Sequence, residues 1–243
     1  MKAKSTLLFL SFMALLFNNS ACANTSGKDN NESNVSVKNY TTESFEKIET
    51  EIVGAIFFTQ SDNFTVRAEG KQKEIDNLIV LFEEGKLKLK TTNKRQKGKN
   101  NLKVYITAPN LVKIDHEGVG TFTLKDKVTF ANLKIDYEGV GNLVADELIC
   151  DTLMVEYEGV GNIKIKGAAE YAEYKSEGVG NISAEDFNVG NLIVRASGVG
   201  NVKCRANKTI EIYSNGVGGV TYWGKPEVKK LIKDGVGKVK SAK

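Results

Sequence analysis

The chain has 243 residues, 41% hydrophobic and 26% charged, enough to bury the core of one moderate domain or two small ones. A net charge of +4, closer to neutral once Lys2 and Lys4 are removed with a leader, argues against a nucleic-acid-binding protein, which concentrates basic residues on one face.

The first element in chain order is a targeting signal over residues 1–22. Lys2 and Lys4 supply a basic start, and "LLFLSFMALLF" from Leu7 to Phe17 is apolar but too short for a spanning helix. Ser20 and Ala21 before Cys22 resemble the lipobox of bacterial lipoproteins, in which the cysteine is diacylated and becomes the mature N-terminus. Asn19 departs from that pattern, so cleavage by ordinary signal peptidase is the alternative. Either route exports the chain across the inner membrane, and the lipid route anchors it in the envelope, with the outer membrane the expected site. Residues 23–43, "ANTSGKDNNESNVSVKNYTT" and its continuation, hold almost no large apolar side chain before Tyr40 and are expected to form a flexible polar tether.

Residues 44–110 are rich in strand patterns separated by turn signals. "FEKIETEIVGAIFFTQSDNFTVRAEG", "GKLKLKTTN" and "NLKVYITAPNL" read as strands, while "KQKEIDNLIVLFEE" reads as a strand with a charged lead-in or as a short helix. The region is expected to supply irregular early coils and a cap, because a stack of strands with an open edge recruits others. The basic run from Lys90 to Asn101 reads as an exposed loop, with a polyanion contact as the alternative.

From residue 111 to 243 the sequence repeats. The first glycine of each GVG falls at Gly118, Gly139, Gly159, Gly178, Gly198, Gly216 and Gly235, at intervals of 21, 20, 19, 20, 18 and 19 residues. Such a period is the mark of a solenoid. Four residues before the marker stand Ile114, Ile135, Val155, Tyr174, Val194, Ile212 and Leu231; four after it stand Phe122, Leu143, Ile163, Ile182, Val202, Val220 and Val239. Polar residues alternate with them, which is the period of a strand with one buried face. Each repeat therefore reads as strand, GVG turn, strand and a short variable corner such as "KDKVTFAN". About 20 residues leave no room for a helix, which excludes leucine-rich repeats. Columns that match in one direction in every copy predict an all-β parallel β-helix with coils about 4.8 Å apart. Seven such coils would extend on the order of 30 Å.

At the turn, both glycines are expected to use positive φ, and the intervening valine (Val119 in the first copy) is expected to point into the core. The next column holds Asn142, Asn162, Asn181 and Asn201, whose amides can form a structural ladder. A ligand role for these asparagines is the alternative, but nucleotide binding is rejected because GVG leads into a strand rather than a helix. Asp115, Glu117, Asp136, Glu138, Glu156, Glu158 and Glu177 make an acidic strip across the first four coils. Neighbouring charges there repel by roughly 1 kcal/mol even in water. Lys113 and Lys134 on the same face can offset this as an ordinary solvated surface, or a divalent cation such as Ca²⁺ or a basic partner can do so. Cys150 and Cys204 lack metal-site spacing and are expected to be buried free thiols, a disulfide being the alternative.

The order "FEKIETEIVGAIFFTQSDNFTVRAEG", "GKLKLKT", "VYITAPNLVKIDHEGVG" and then repeated "EGVGN" resembles the putative auto-transporter adhesin, head GIN domain family over about residues 45 to 240. The family is common in Bacteroidetes and often carries lipoprotein signals. The resemblance implies a parallel β-helix, an envelope location and a binding or structural role, with no catalytic residues to transfer. The last two copies, "NGVGGV" and "DGVGKV", depart from the pattern and suit a terminal coil.

Enzymatic readings find little support. The sole histidine, His116, lies in the inward column continued by Tyr137 and Tyr157, which favours a packed core residue over a catalytic base. Lys175 or Arg195 beside the acidic strip would be the candidates for a glycan-cleaving site, but the strip follows the repeat instead of breaking it. The reading is a non-enzymatic, lipid-anchored envelope protein without a resident cofactor, acting as an adhesin or as a binding or structural module. A glycan-binding β-helix is the alternative, with Tyr213 and Trp223 as ring-stacking candidates. Met154, Ile193, Tyr213 and Ile232 interrupt the polar outer face and are candidates for a homo-oligomer contact.

Overall fold

The computed structural model describes residues 35–92 and 101–242. The leader, Cys22, most of the expected tether and residues 93–100 of the basic run lie outside the described residues. The described part is all-β apart from one five-residue helix, and it forms a β-solenoid of about six turns with coils of about 20 residues, plus a mixed N-terminal sheet region. Among the described residues no helix is long and apolar enough to cross a membrane.

The described part opens with β1 (Val35–Tyr40), inside the stretch expected to be a tether. All six of its residues pair antiparallel with Val66–Lys71. The β-formers Val35, Val37 and Tyr40, the last packed on the core and the valines exposed, suit this stretch to cover a sheet edge that would otherwise be open. Next come β2 (Lys47–Glu51), β3 (Val53–Gln60), β4 (Thr65–Lys71), α1 (Gln72–Asp76), β5 (Leu78–Glu83), β6 (Lys86–Thr91), β7 (Lys103–Ala108) and β8 (Lys113–His116). "KQKEIDNLIVLFEE" therefore holds both alternatives in sequence, a short helix and then a strand. Glu74 holds the helix start by accepting from the Lys71 amide at 2.8 Å.

Spatial order departs from chain order in this region. β2 lies between β6 and β8, and β3 lies between β7 and β9 (Val119–Tyr137), all parallel. The coil made by β2 and β3 is thus first in sequence but is sandwiched between two later ones. Antiparallel β4 and β5 close the outer edge on β7 and β6. Val53 and Gly54 stack on Val119 and Gly120, so "EIVG" is an additional copy of the turn, with Ile52 where the later coils have the first glycine.

Beyond β9 the coils are β10 (Val140–Tyr157), β11 (Val160–Ser176), β12 (Val179–Ala196) and β13 (Val202–Ser214), followed by the shorter β14 (Val220–Trp223), β15 (Glu227–Lys233) and β16 (Val239–Ser241). Successive coils pair in parallel, with β13 on both β14 and β15 and β14 on β16, and like residue lies on like: Gly141 on Gly161, Asn142 on Asn162, Leu143 on Ile163. The stretch expected as a variable corner is in fact a third side of the coil. Its side chains Val128 and Phe130, Leu148 and Cys150, and Phe187 and Val189 are buried like those of the other two sides. The variation in repeat length, 18 to 21 residues, is absorbed by bulges at or beside one bend, between Ala145 and Glu147 in one pair of coils and between Lys164 and Gly167 in another.

The GVG turns correct two expectations. The second glycine of six copies does take positive φ, 136° at Gly141 and 142° at Gly161. A Cβ on Gly161 would also lie 1.6 Å from the Gly141 carbonyl oxygen on the coil beneath. The first glycine is required for space alone: a Cβ on Gly159 would meet the Gly139 oxygen at 2.2 Å and the Tyr137 ring at 2.9 Å. With the inside of the bend filled by that ring and the stacked backbone, the valine points outward. Val119, Val140, Val160, Val179, Val199, Val217 and Val236 are 46% to 77% exposed and form one line along the corner. Parity carries this signal in the sequence, since inward residues stand at even offsets on both sides of the marker and the valine stands at an odd one.

Candidate functional site

Buried groups decide what chemistry the interior can do. His116 is 1% exposed and its Nδ1 lies 2.6 Å from Thr50 Oγ1. Its ring packs against Tyr137 at 5.0 Å between centroids, and Tyr137 packs against Tyr157 at 5.7 Å. Burial lowers the His116 pKa to about 4, so the ring is neutral and faces no solvent. Cys150 and Cys204 are buried free thiols, each pushed up to about 12 by burial. His116 and both cysteines are therefore enclosed in the core.

The acidic strip lies on the outer face with lysines threaded through it. Lys113 bridges Asp115 at 3.0 Å and Asp136 on the next coil at 2.8 Å. Lys134 lies 3.0 Å from Asp136 and 2.9 Å from Glu156. Lys175 reaches Glu177 at 3.2 Å and Glu158 at 3.9 Å. The same alternation runs into the first coils, where Lys86 and Lys90 meet Glu49 and Lys90 meets Glu51. Burial disfavours the Asp136 carboxylate, but its two lysines outweigh that and hold its pKa below the usual range. Glu117 has no ion pair among the described residues; burial and the nearby Glu51, Asp115 and Glu138 raise its pKa. Glu138 and the other corner glutamates are exposed. No three His, Cys, Asp or Glu side chains among the described residues are grouped to hold a metal ion. The gaps between Asp115 and Asp136, Asp136 and Glu156, and Glu158 and Glu177 are each already close to an ammonium group.

The asparagines form a continuous ladder. Asn162 donates to the Asn142 side-chain oxygen at 3.3 Å, Asn181 to that of Asn162 at 3.1 Å, and Asn201 to that of Asn181 at 3.3 Å. The backbone amides of Asn181, Asn201 and Gly219 donate to the same oxygens of the preceding rung at 3.0–3.3 Å. The ladder thus reaches the penultimate corner through backbone after the asparagines end.

Beside the ladder is a column that the sequence reading passed over: Lys164, Ser183, Lys203, Thr221 and Lys240, paired in register from coil to coil. Its signal was available five residues after each glycine marker. Between this column and the asparagines lie two shallow depressions of about 360 and 270 Å³, which share Asn201. Of the aromatic candidates, Tyr213 is engaged by neighbours: Arg195 lies 4.5 Å over its ring, Lys230 lies 5.2 Å away, and its hydroxyl donates to Glu211 at 2.9 Å. Met154 is 41% exposed on the same outer side.

Comparison with known proteins places this arrangement. The family profile described as "Putative auto-transporter adhesin, head GIN domain" matches residues 44–226. The chain belongs to the head GIN domain family. A crystal structure described as a putative adhesin from Bacteroides fragilis NCTC 9343 is 31% identical, with a TM-score of 0.82 over 86% of this chain and 97% of that one. Two further putative adhesins share the head GIN fold at lower identity. One, from Parabacteroides merdae ATCC 43184, has 19% identity and a TM-score of 0.65 over 86% of this chain and 96% of that one. The other, from Parabacteroides distasonis ATCC 8503, has 21% and 0.68 over 87% and 98%. No curated protein matches the chain.

Proposed function

We propose that this head GIN protein is a non-enzymatic adhesin, a binding module carried on the cell envelope by a lipid at Cys22. The observation that carries the reading is the in-register repetition of outward side chains, Glu, Val and Asn in lines across successive coils and Lys on alternate ones. Such a surface offers the same contact again and again, which suits an extended, repeating ligand better than a single small substrate. Glycan chains are the ligand class with that character. The enclosed His116, Cys150 and Cys204 support a role without chemistry. The basic start, apolar stretch and Cys22 support export and a lipid anchor, with the outer membrane as the destination.

The test has two parts. Cells expressing the chain are labelled with radioactive palmitate, and the purified full chain is incubated with a panel of immobilised glycans. We expect label on the wild type, none on Cys22→Ala, and glycan retention without release of new reducing ends. Label that persists on Cys22→Ala overturns the anchor, and release of reducing ends overturns the non-enzymatic reading.

A further inference from the structure

We infer that the face between the asparagine ladder and the lysine column binds an extended glycan carrying one acidic group on every second sugar. The inference rests on the binding-module reading and specifies its ligand. Coils in a parallel stack are about 4.8 Å apart, so lysines on alternate coils place ammonium groups roughly 10 Å apart, with the Ser183 and Thr221 hydroxyls between them. Lys164 and Lys240 have no ion pair among the described residues. Lys203 has only Glu185, at 3.8 Å and half-exposed, a contact of little strength in water.

The opposite wall supplies neutral donors on the coils of Asn162, Asn181 and Asn201 and continues through Gly219 to Lys238. A side-chain amide has two N–H groups, and each of Asn162, Asn181 and Asn201 uses one on the rung below. One donor per coil is left on an exposed face. The two shallow depressions, about 360 and 270 Å³, adjoin at Asn201 and together follow the two columns over several coils. An extended pyranose chain steps by close to one coil spacing per sugar. It would meet an amide on each of the three coils from Asn162 to Asn201 and a column lysine on every second coil, with Lys238 beside Lys240 at the far end. No aromatic ring lines either depression, so recognition there is by charge and hydrogen bonds and not by stacking.

The test titrates the full chain calorimetrically with three oligosaccharides: hyaluronate, acidic at every second sugar; polygalacturonate, acidic at every sugar; and chitin oligomers, uncharged. Hyaluronate is expected to bind, more weakly as salt rises. The triple variant Lys164→Gln, Lys203→Gln, Lys240→Gln should lose more than about tenfold in affinity, the loss of three charge-assisted contacts, with unchanged thermal unfolding. Changing Lys47, Lys73 and Lys103 to Gln, away from the track, should leave binding intact. Equal binding of the uncharged oligomer, tighter binding of polygalacturonate, or an unaffected triple variant each overturns the inference. If the glycan panel retains the protein but hyaluronate does not bind, this inference fails while the adhesin reading stands.

Discussion

Thr50 and His116 are 66 residues apart in the chain and 2.6 Å apart in the core, where they stack one coil on the next. The contact joins the first coil in sequence to the start of the GVG repeat. It also makes the fold sensitive to acid. Burial holds the His116 pKa at about 4, against an ordinary value of 6.5 in the unfolded chain. Between those values the unfolded chain binds the extra proton, so stability is fully present above about pH 6.5 and is lost as pH falls towards about 4. The span corresponds to at most about 3 kcal/mol. Denaturant titrations between about pH 5 and 6.5, above the ordinary carboxylate range, should show this loss in the wild type and a much flatter profile in His116→Phe, with Glu117→Gln in both to remove the one carboxylate that burial raises. A wild type with no slope in that range would show that His116 is protonated in the folded state.

The two kinds of turn residue should behave oppositely. Gly161→Ala forces a Cβ into the Gly141 carbonyl at a φ open almost only to glycine, and should cost at least about 3 kcal/mol. Val160→Thr, one residue earlier and pointing to solvent, should change stability by no more than about 0.5 kcal/mol. Thermal unfolding of both variants checks the pair; comparable destabilisation would return the valine to the core.

Lysines between the carboxylates set the response of the acidic strip to metal. A site bound by calcium at a hundredfold excess over its dissociation constant would add about 2.7 kcal/mol, whereas the wild type should gain nothing measurable. Lys134→Gln leaves Asp136 and Glu156 facing each other across adjacent coils without their shared ammonium group. It should cost about 1 kcal/mol, since these side chains are partly solvated, and millimolar calcium should restore part of that loss. Unfolding temperatures with calcium and with chelator, for both proteins, decide the matter. A calcium-dependent rise in the wild type would show that a cation joins the lysines in the strip.

The solenoid was legible in the chain because every coil restates the same local instructions. Alternation of period two marks the buried faces, glycine marks the bend, and a near-constant interval places like on like without any long-range information. The inward place of His116, the two free thiols and the asparagine and glutamate columns follow from position within one repeat. Even the outward valines and the Lys164, Lys203, Lys240 line were written in column parity. What the sequence could not decide lies where the repeat is absent. The insertion of β2 and β3 between strands that come later in the chain, and the use of Val35–Tyr40 as an edge strand, depend on which of several similar strands pair. That choice is made by long-range contacts. The lysine bridges across the acidic strip are likewise tertiary facts, since residues about 20 apart become neighbours only when coils stack and bring Lys113 to Asp136.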